Sequence, residues 1–366
     1  MKLVYIVNRI DGPGGLERVL SIKASMLADD YNYDVHIVTL NQESTDLFYE
    51  FSNKIQYYNI SATGNPISKI YKYITKLRKA VKTLKPDAIA VCDDGLKGLF
   101  LPILLSKPVP MVYERHVSRQ AENQNDKKSF LSKFKASTTF KLMNFGAKYY
   151  NKFVVLTKGN LNEWQLNNII VIPNPLSFYP SESSTLTNKT VLAVGKQCYQ
   201  KGYDRLLKSW QIVHEKFPDW TLKIYGTISK KEKLDTLANT LNIQNSVKFY
   251  PPVKNIKDKY KEASIYVLSS RYEGFGMVLT EAMAYGVPCV AFNCPYGPSD
   301  IITDKKNGLM VKNGDINGLA EGVISLINNE NLRKSMGESA KIDVKRYFPE
   351  KIVAQWNDLF NSLIQD

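Results

Sequence analysis

The chain is poor in cysteine and histidine, with four and three among 366 residues, and it is short of acidic side chains. Cys92, Cys198, Cys289 and Cys294 form no C-x-x-C pair, and only the last two are near neighbours, with no histidine at zinc spacing. That excludes a zinc ribbon and a disulfide framework, and it fits reduced, buried thiols in a cytoplasmic protein. No long apolar run is present either. The longest, near 99–105, falls well short of the roughly 18 residues that a spanning helix needs. The opening run 1–7 meets polar Asn8 and Arg9 at once, too soon for a signal peptide. A soluble or peripheral protein is expected. Also missing are a D-x-D-like metal motif, since Asp93-Asp94 has no third acid, and a nucleophile paired with a base.

What the chain has in excess is positive charge: 49 Lys and Arg against 35 Asp and Glu, a net +14 and a pI near 9.3. Such a surplus favours anionic partners. Without a recognition helix, zinc-finger spacing or RNP-like aromatics, nucleic acid is not the expected one. Phosphorylated small molecules and phospholipid remain.

Short apolar runs rich in Val, Ile and Tyr alternate with amphipathic stretches. Runs at 3–7, 35–40, 89–91, 111–113 and 153–156 predict strands, with helices at 16–27 and 67–84 between them. The alternation resumes at 191–194, 222–225, 247–250, 265–268 and 289–292. Continuous apolar strands separated by helices indicate parallel sheets covered on both faces. Pro173-Asn174-Pro175 and the polar stretch after it break the pattern. The expected fold class is therefore α/β, with two doubly wound Rossmann-like domains, 1–176 and 177–348. The helix predicted at 349–366 has Ile352, Val353, Trp356, Leu359, Phe360 and Leu363 on one face, and packing back onto the first domain would cover that stripe.

The strongest constellation runs from Ser269 to Glu281, S-S-R-Y-E-G-F-G-M-V-L-T-E, after a strand and into a helix. Its glycines free the turn so that backbone N–H groups at the helix start can meet an anion. Glu281 lies in the helix and Glu273 on the turn. A second constellation, Gly195-Lys196-Gln197-Cys198-Tyr199-Gln200-Lys201-Gly202, follows the first strand of the second domain. A departing diphosphate gathers negative charge, and fixed cations such as Lys196 and Lys201 answer it where no metal motif is present. A third, Asp11-Gly12-Pro13-Gly14-Gly15-Leu16-Glu17-Arg18, fills the first strand-to-helix turn. Taken alone it could be a damaged dinucleotide fingerprint lacking its third glycine.

The E-G-F-G-x-x-x-x-E pattern, continued as A-M-A-x-G-x-P, resembles the family-four retaining glycosyltransferases of the GT-B fold, and the resemblance extends nearly end to end. It implies a deep interdomain cleft between an N-terminal acceptor domain and a C-terminal donor domain. It also implies that Glu273 contacts the donor sugar and that Glu281 binds the ribose hydroxyls. Main-chain N–H groups of Phe275, Gly276 and Met277 then meet the sugar and diphosphate, Lys196 and Lys201 neutralise the diphosphate, and Gly14 and Gly15 approach the donor. Lysine at 196, where the family also uses arginine, replaces a planar fork with a point charge. By the same resemblance His116 touches the donor sugar near the reacting carbon, Val253 lies where backbone atoms read the base, and Asn174 lies near the cleft. Arg115 and Arg119 are candidates for a phosphorylated acceptor.

The implied reaction is metal-independent, needs no cofactor, and keeps the anomeric configuration by front-face transfer. The donor is a nucleotide diphosphate sugar, UDP-linked for preference. The acceptor is a glycan or an undecaprenyl-diphosphate-linked glycan in capsule, exopolysaccharide or O-antigen (lipopolysaccharide) assembly. The segment 126–153 interleaves lysines with Phe130, Phe134, Phe140 and Phe145, as an interfacial helix on the anionic inner membrane surface would. An ordinary amphipathic helix over a core has the same pattern. Two other classes share the architecture. A sugar-nucleotide epimerase would need acid–base residues beside the sugar, where only His116 and Glu114 are candidates. A catalytically silent sugar-nucleotide-binding protein would not need Glu273, Lys196, Lys201 and His116 together.

Overall fold

The computed structural model describes residues 1–93, 95–119 and 130–365, the last stretch without the side chains of 130–135. It divides into two compact units. The first contains β1 (Lys2–Val7), α1 (Gly15–Asp29), β2 (Asp34–Leu40), β3 (Gln56–Ile60), α2 (Pro66–Leu84) and β4 (Ala88–Cys92). It continues through α3 (Leu96–Leu99), α4 (Leu101–Leu104), β5 (Met111–Glu114), α5 (Phe130–Ala147), β6 (Lys152–Val155) and β7 (Ile169–Val171). Its seven strands run parallel in the order β3-β2-β1-β4-β5-β6-β7.

The second unit has β8 (Thr190–Val194), α6 (Tyr203–Lys216), β9 (Thr221–Tyr225), α7 (Leu234–Thr240), β10 (Val247–Tyr250), α8 (Ile256–Glu262) and β11 (Ile265–Leu268). After these come α9 (Met277–Ala284), β12 (Cys289–Asn293), α10 (Pro298–Ile301), β13 (Gly308–Lys312), α11 (Ile316–Asn328) and α12 (Glu330–Asp343). Its six strands are also parallel, in the order β10-β9-β8-β11-β12-β13. The last helix, α13 (Pro349–Gln365), belongs to the first unit, where its apolar stripe is buried against α1 and Tyr33 donates to Asn357 at 3.0 Å.

The ten expected strands are all present, as are the helices expected at 16–27, 67–84 and 349–366. Three strands were not expected: β3, β7 and β13. Each lies at the edge of its sheet. β3 (Gln56-Tyr57-Tyr58-Asn59-Ile60) is mostly exposed and has no continuous apolar run, as an uncovered edge allows. β7 (Ile169-Ile170-Val171) and β13 (with Leu309-Met310-Val311) are half-covered and do carry short apolar runs, left unassigned in the sequence. The apolar run near 99–105 is broken into α3 and α4 with Pro102 in the first turn of α4.

In each sheet the strand order reverses once, between β1 and β4 and between β8 and β11. In an open parallel sheet this is where loops at the carboxyl ends diverge and leave room for a ligand. In the first sheet the diverging loops are those after β1 and β4. In the second they are 195–202 and 269–276, the two motif-bearing loops.

The two sides of the first sheet are covered differently. Val4, Ile6, Val91, Met111 and Tyr113 pack under α2, α3, α4 and α5 in one apolar cluster. Tyr5 lies on the opposite side, near Lys23 of α1, which also covers the ring of Trp356 of α13. Among the described residues no helix is long and apolar enough to cross a membrane.

Candidate active site

In the second unit the loop after β8 is pressed onto the end of β11. Gly202 is left-handed (φ +62°), and a Cβ there would lie 2.2 Å from the carbonyl oxygen of Ser269, so only glycine lets the two loops touch. Ser269 Oγ donates to the Lys201 carbonyl at 2.8 Å, and Arg271 N donates to the Gln200 carbonyl at 2.7 Å. The Arg271 guanidinium forks onto Asp204 at 2.8 and 2.7 Å and lies 4.0 Å from the ring centre of Tyr199. Burial pushes the Asp204 carboxyl up, but Arg271 more than offsets this and holds it below the usual carboxylate range.

The clamp sets Lys201 beside Glu273. Lys201 Nζ donates to Glu273 Oε1 at 2.7 Å, and Ser270 Oγ donates to the same oxygen at 2.6 Å. Desolvation works against the ammonium, yet the carboxylate outweighs it, so the Lys201 pKa is raised and the side chain stays charged. The backbone of Glu273 is fixed on its other side by N–H donation to Pro295 O at 2.9 Å and by acceptance from Tyr296 N at 3.1 Å. Glu273 is therefore a buried carboxylate with a fixed direction.

Between Glu273 and Glu281 lies the start of α9. Gly276 caps it at φ +99° with no side-chain cap. The first N–H groups of the helix have no intrahelical partner and carry its positive dipole end. Phe275 packs edge-on against Tyr347 at 5.3 Å, which anchors the turn. Glu281 is buried in the helix, and Tyr260 of α8 donates its hydroxyl to Oε2 at 2.8 Å. Lys196 is exposed on its loop, next to buried Gln197, whose N–H bonds Thr227 O at 2.9 Å. Val253 is half-buried after β10.

In the first unit, His116 follows β5. Its Nε2 lies 3.2 Å from Glu114 Oε2, the same oxygen that receives the ammonium of Lys23. Lys23 and Glu114 are each 1% exposed. Burial drives the Glu114 carboxyl up, but Lys23 and His116 together hold it below its ordinary value. The glycine turn after β1 wraps a side chain of its own. A Cβ on Gly12 or Gly14 would lie 2.9 or 2.3 Å from a carboxylate oxygen of Glu17, whose pKa is raised by burial. Gly15 begins α1 beyond that turn.

Known proteins are similar to this chain in sequence and in fold. The family model described as "Glycosyl transferases group 1" matches residues 180–343. A glycosyltransferase of Haemophilus influenzae is 34% identical over 98% of this chain and 99% of its own. The amylovoran biosynthesis glycosyltransferase AmsD of Erwinia amylovora is 30% identical over 98% and 99%. This chain is a group 1 glycosyltransferase. The fold agrees: a point mutant of TarM from S. aureus, solved in complex with Fondaparinux, alpha-GlcNAc-glycerol and UDP, superposes with a TM-score of 0.78 at 19% identity, over 98% of this chain and 99% of that one. The GT-B architecture expected from the motif is present, and the epimerase alternative has no support among the relatives.

In this glycosyltransferase Lys201, Glu273, Phe275, Gly276, Met277 and Glu281 gather at one strand reversal, flanked by Lys196. The other expected residues scatter more widely. Arg115 is buried, with Nε on the Val117 carbonyl at 2.9 Å and its guanidinium 5.8 Å from the Trp164 ring centre. Arg119 is half-buried at the end of a described stretch, and Asn174 is buried. The basic segment 126–153 lies partly outside the described residues.

Sequence reasoning did not single out Ser270, Tyr260, Arg271, Asp204, Glu17 or Lys23 as partners of the site. Ser270 and Arg271 lie inside the motif and could have been read from it. Tyr260 and Lys23 carry no local signal. One group of described side chains has metal-ligand chemistry: Cys92, Glu114 and His116, with donor atoms within 4.8 Å of one another. The Lys23 ammonium already compensates Glu114, which makes that group a poor host for a second cation.

Proposed function

We propose that this glycosyltransferase moves a sugar from a nucleotide diphosphate sugar, UDP-linked for preference, to a glycan or lipid-diphosphate-linked glycan in cell-surface polysaccharide assembly. Transfer proceeds with retention, without a metal, at the inner face of the membrane. The observation that carries this reading is the fixed pair Lys201–Glu273 beside the uncapped start of α9.

Glycosyl transfer needs the diphosphate charge stabilised as the glycosidic bond breaks. Lys201 supplies a cation kept charged by its partner, the first N–H groups of α9 supply oriented dipoles, and Lys196 adds a mobile charge. Glu273 accepts bonds from the donor sugar, and Glu281, steadied by Tyr260, accepts from the ribose diol. The enzyme contributes position and charge, and the leaving phosphate takes the acceptor's proton. UDP in the complex of the structurally similar TarM mutant supports the choice of nucleotide.

The test is incubation with radiolabelled UDP- and GDP-sugars, followed for hydrolysis and transfer. Slow turnover of one UDP-sugar, indifferent to EDTA and suppressed in Glu273→Ala and Lys201→Ala, is expected. Undiminished turnover in both variants would refute the site.

A further inference from the structure

The helices on the Val4–Ile6 side of the first sheet have an unusual charge balance. α2, α3, α4 and α5 contain no Asp or Glu, whereas α2 alone carries Lys69, Lys72, Lys76, Arg78, Lys79 and Lys82. On the opposite side the charges are mixed: α1 has Glu17 and Asp29 with Arg18 and Lys23, and α13 has Glu350 and Asp358 with Lys351. Within the first unit the basic surplus is thus concentrated on one face.

That face also exposes large apolar side chains. Tyr73, Leu77, Val81 and Leu84 fix α2 onto the sheet. Along the neighbouring edge of the same helix Ile67 is 82%, Ile70 59% and Tyr71 69% exposed. Further along that edge, at helical spacing, come Arg78 and Lys82. They help line a cavity of about 460 Å³ with Lys85, Leu105, Pro108 and Val109. Arg78 is preset by bonds from Nε and Nη2 to the Leu104 carbonyl at 2.9 and 2.6 Å. On α5, Phe140, Met143 and Ala147 pack inward while Leu142 and Phe145 stay exposed. The edge of α2 from Ile67 to Lys82 is about 22 Å long at 1.5 Å per residue.

We propose that this face docks on an anionic phospholipid bilayer, with Ile67, Ile70 and Tyr71 inserted at the headgroup boundary and the Arg78–Lys82–Lys85 cavity receiving a lipid phosphate. The chemistry separates a bilayer from other polyanions. Cations alone would serve a nucleic acid, but exposed branched aliphatics beside them gain only where there is hydrocarbon to enter. The inference rests on the reading of the acceptor as lipid-linked, and it names α2, in addition to α5, as the contact.

The test is cosedimentation of the full chain with phosphatidylcholine vesicles containing about one-third phosphatidylglycerol, against pure phosphatidylcholine. Binding to the anionic vesicles only, weakened by salt, is expected. The double variant Ile67→Glu/Tyr71→Glu should lose at least about tenfold in partitioning, and Lys79→Gln/Lys82→Gln about fivefold per lysine. These positions are on the surface, and unchanged circular dichroism checks the fold. Equal binding to neutral vesicles, indifference to the variants, or binding to duplex DNA in place of vesicles would each overturn the proposal. Hydrolysis of UDP-sugar in vesicle-free buffer separates the two readings. If it persists while vesicle binding is absent in the wild type, docking falls and the active-site reading stands. If vesicle binding follows expectation while no nucleotide sugar is turned over, docking stands and the active-site reading falls.

Discussion

Lys201 and Glu273, 72 positions apart in sequence, meet at 2.7 Å because β8 and β11 are neighbours in the second sheet. The pair joins the two loops at the strand reversal, and each partner alters the other. The carboxylate keeps the ammonium charged, and the ammonium and Ser270 fix the carboxylate's direction.

Lys201→Met keeps the volume and removes the charge. It should lower kcat by about 100-fold or more, the size of losing one preorganised stabiliser of a developing anion. Ser270→Ala removes one bond to Glu273 and should cost about 1 kcal/mol, roughly fivefold in kcat/KM. Steady-state kinetics with the UDP-sugar and a thermal melt of each variant check both.

Arg271→Lys should not rescue the clamp, since lysine can neither fork onto Asp204 nor stack on Tyr199. About a tenfold fall in kcat/KM with a nearly unchanged Tm is expected. The clamp also has a pH sign. The Asp204 pKa is depressed in the folded chain, so its contribution is present above the ordinary carboxylate range and is lost as pH falls through the folded value. Limited proteolysis of the 195–202 loop should accelerate on acidification in the wild type. In Asp204→Asn it should be fast already at neutral pH.

Lys23→Met strands Glu114, a buried carboxylate without its ammonium. Breaking such a pair costs about 3–5 kcal/mol. The pH dependence should reverse. In the wild type the Glu114 pKa is depressed, so the pair stabilises above the ordinary carboxylate range and fades as pH falls. In Lys23→Met burial is opposed by His116 alone, so acidification, by protonating the stranded carboxyl, should relieve the penalty and narrow the gap to wild type. Urea unfolding at a series of pH values measures this, and a gap that widens on acidification would contradict it.

Tyr260→Phe deletes the hydroxyl that holds Glu281 Oε2. If Glu281 binds the ribose, the donor KM should rise by roughly fivefold, about 1 kcal/mol, with kcat nearly unchanged. An equal loss in kcat would place Glu281 at the reacting centre instead.

The sequence by itself determined what is local. Continuous apolar runs marked the buried strands, since a strand covered on both faces has nowhere to put polar side chains. The E-G-F-G-x-x-x-x-E pattern marked the strand–turn–helix that presents Glu273 and the start of α9, because a glycine turn and an acid in the following helix are neighbours along the chain. The edge strand β3 escaped because a mostly exposed strand carries a mixed pattern, whereas β7 and β13 have short apolar runs that pairing at a sheet edge, and not the run alone, identifies as strands. The tertiary structure decided the pairings. Lys201 with Glu273, Tyr260 with Glu281 and Lys23 with Glu114 are set by strand order and helix packing, across 72, 21 and 91 positions. It also decided which cations matter. Arg115, an acceptor candidate in the sequence, is buried with its Nε on the Val117 carbonyl, a placement no local pattern announces. The lysines of α2 look like an ordinary solvated face until the sheet fixes which edge of the helix is covered and which is left with Ile67 and Tyr71. Charge and spacing are properties of the chain, and burial and partner are properties of the fold.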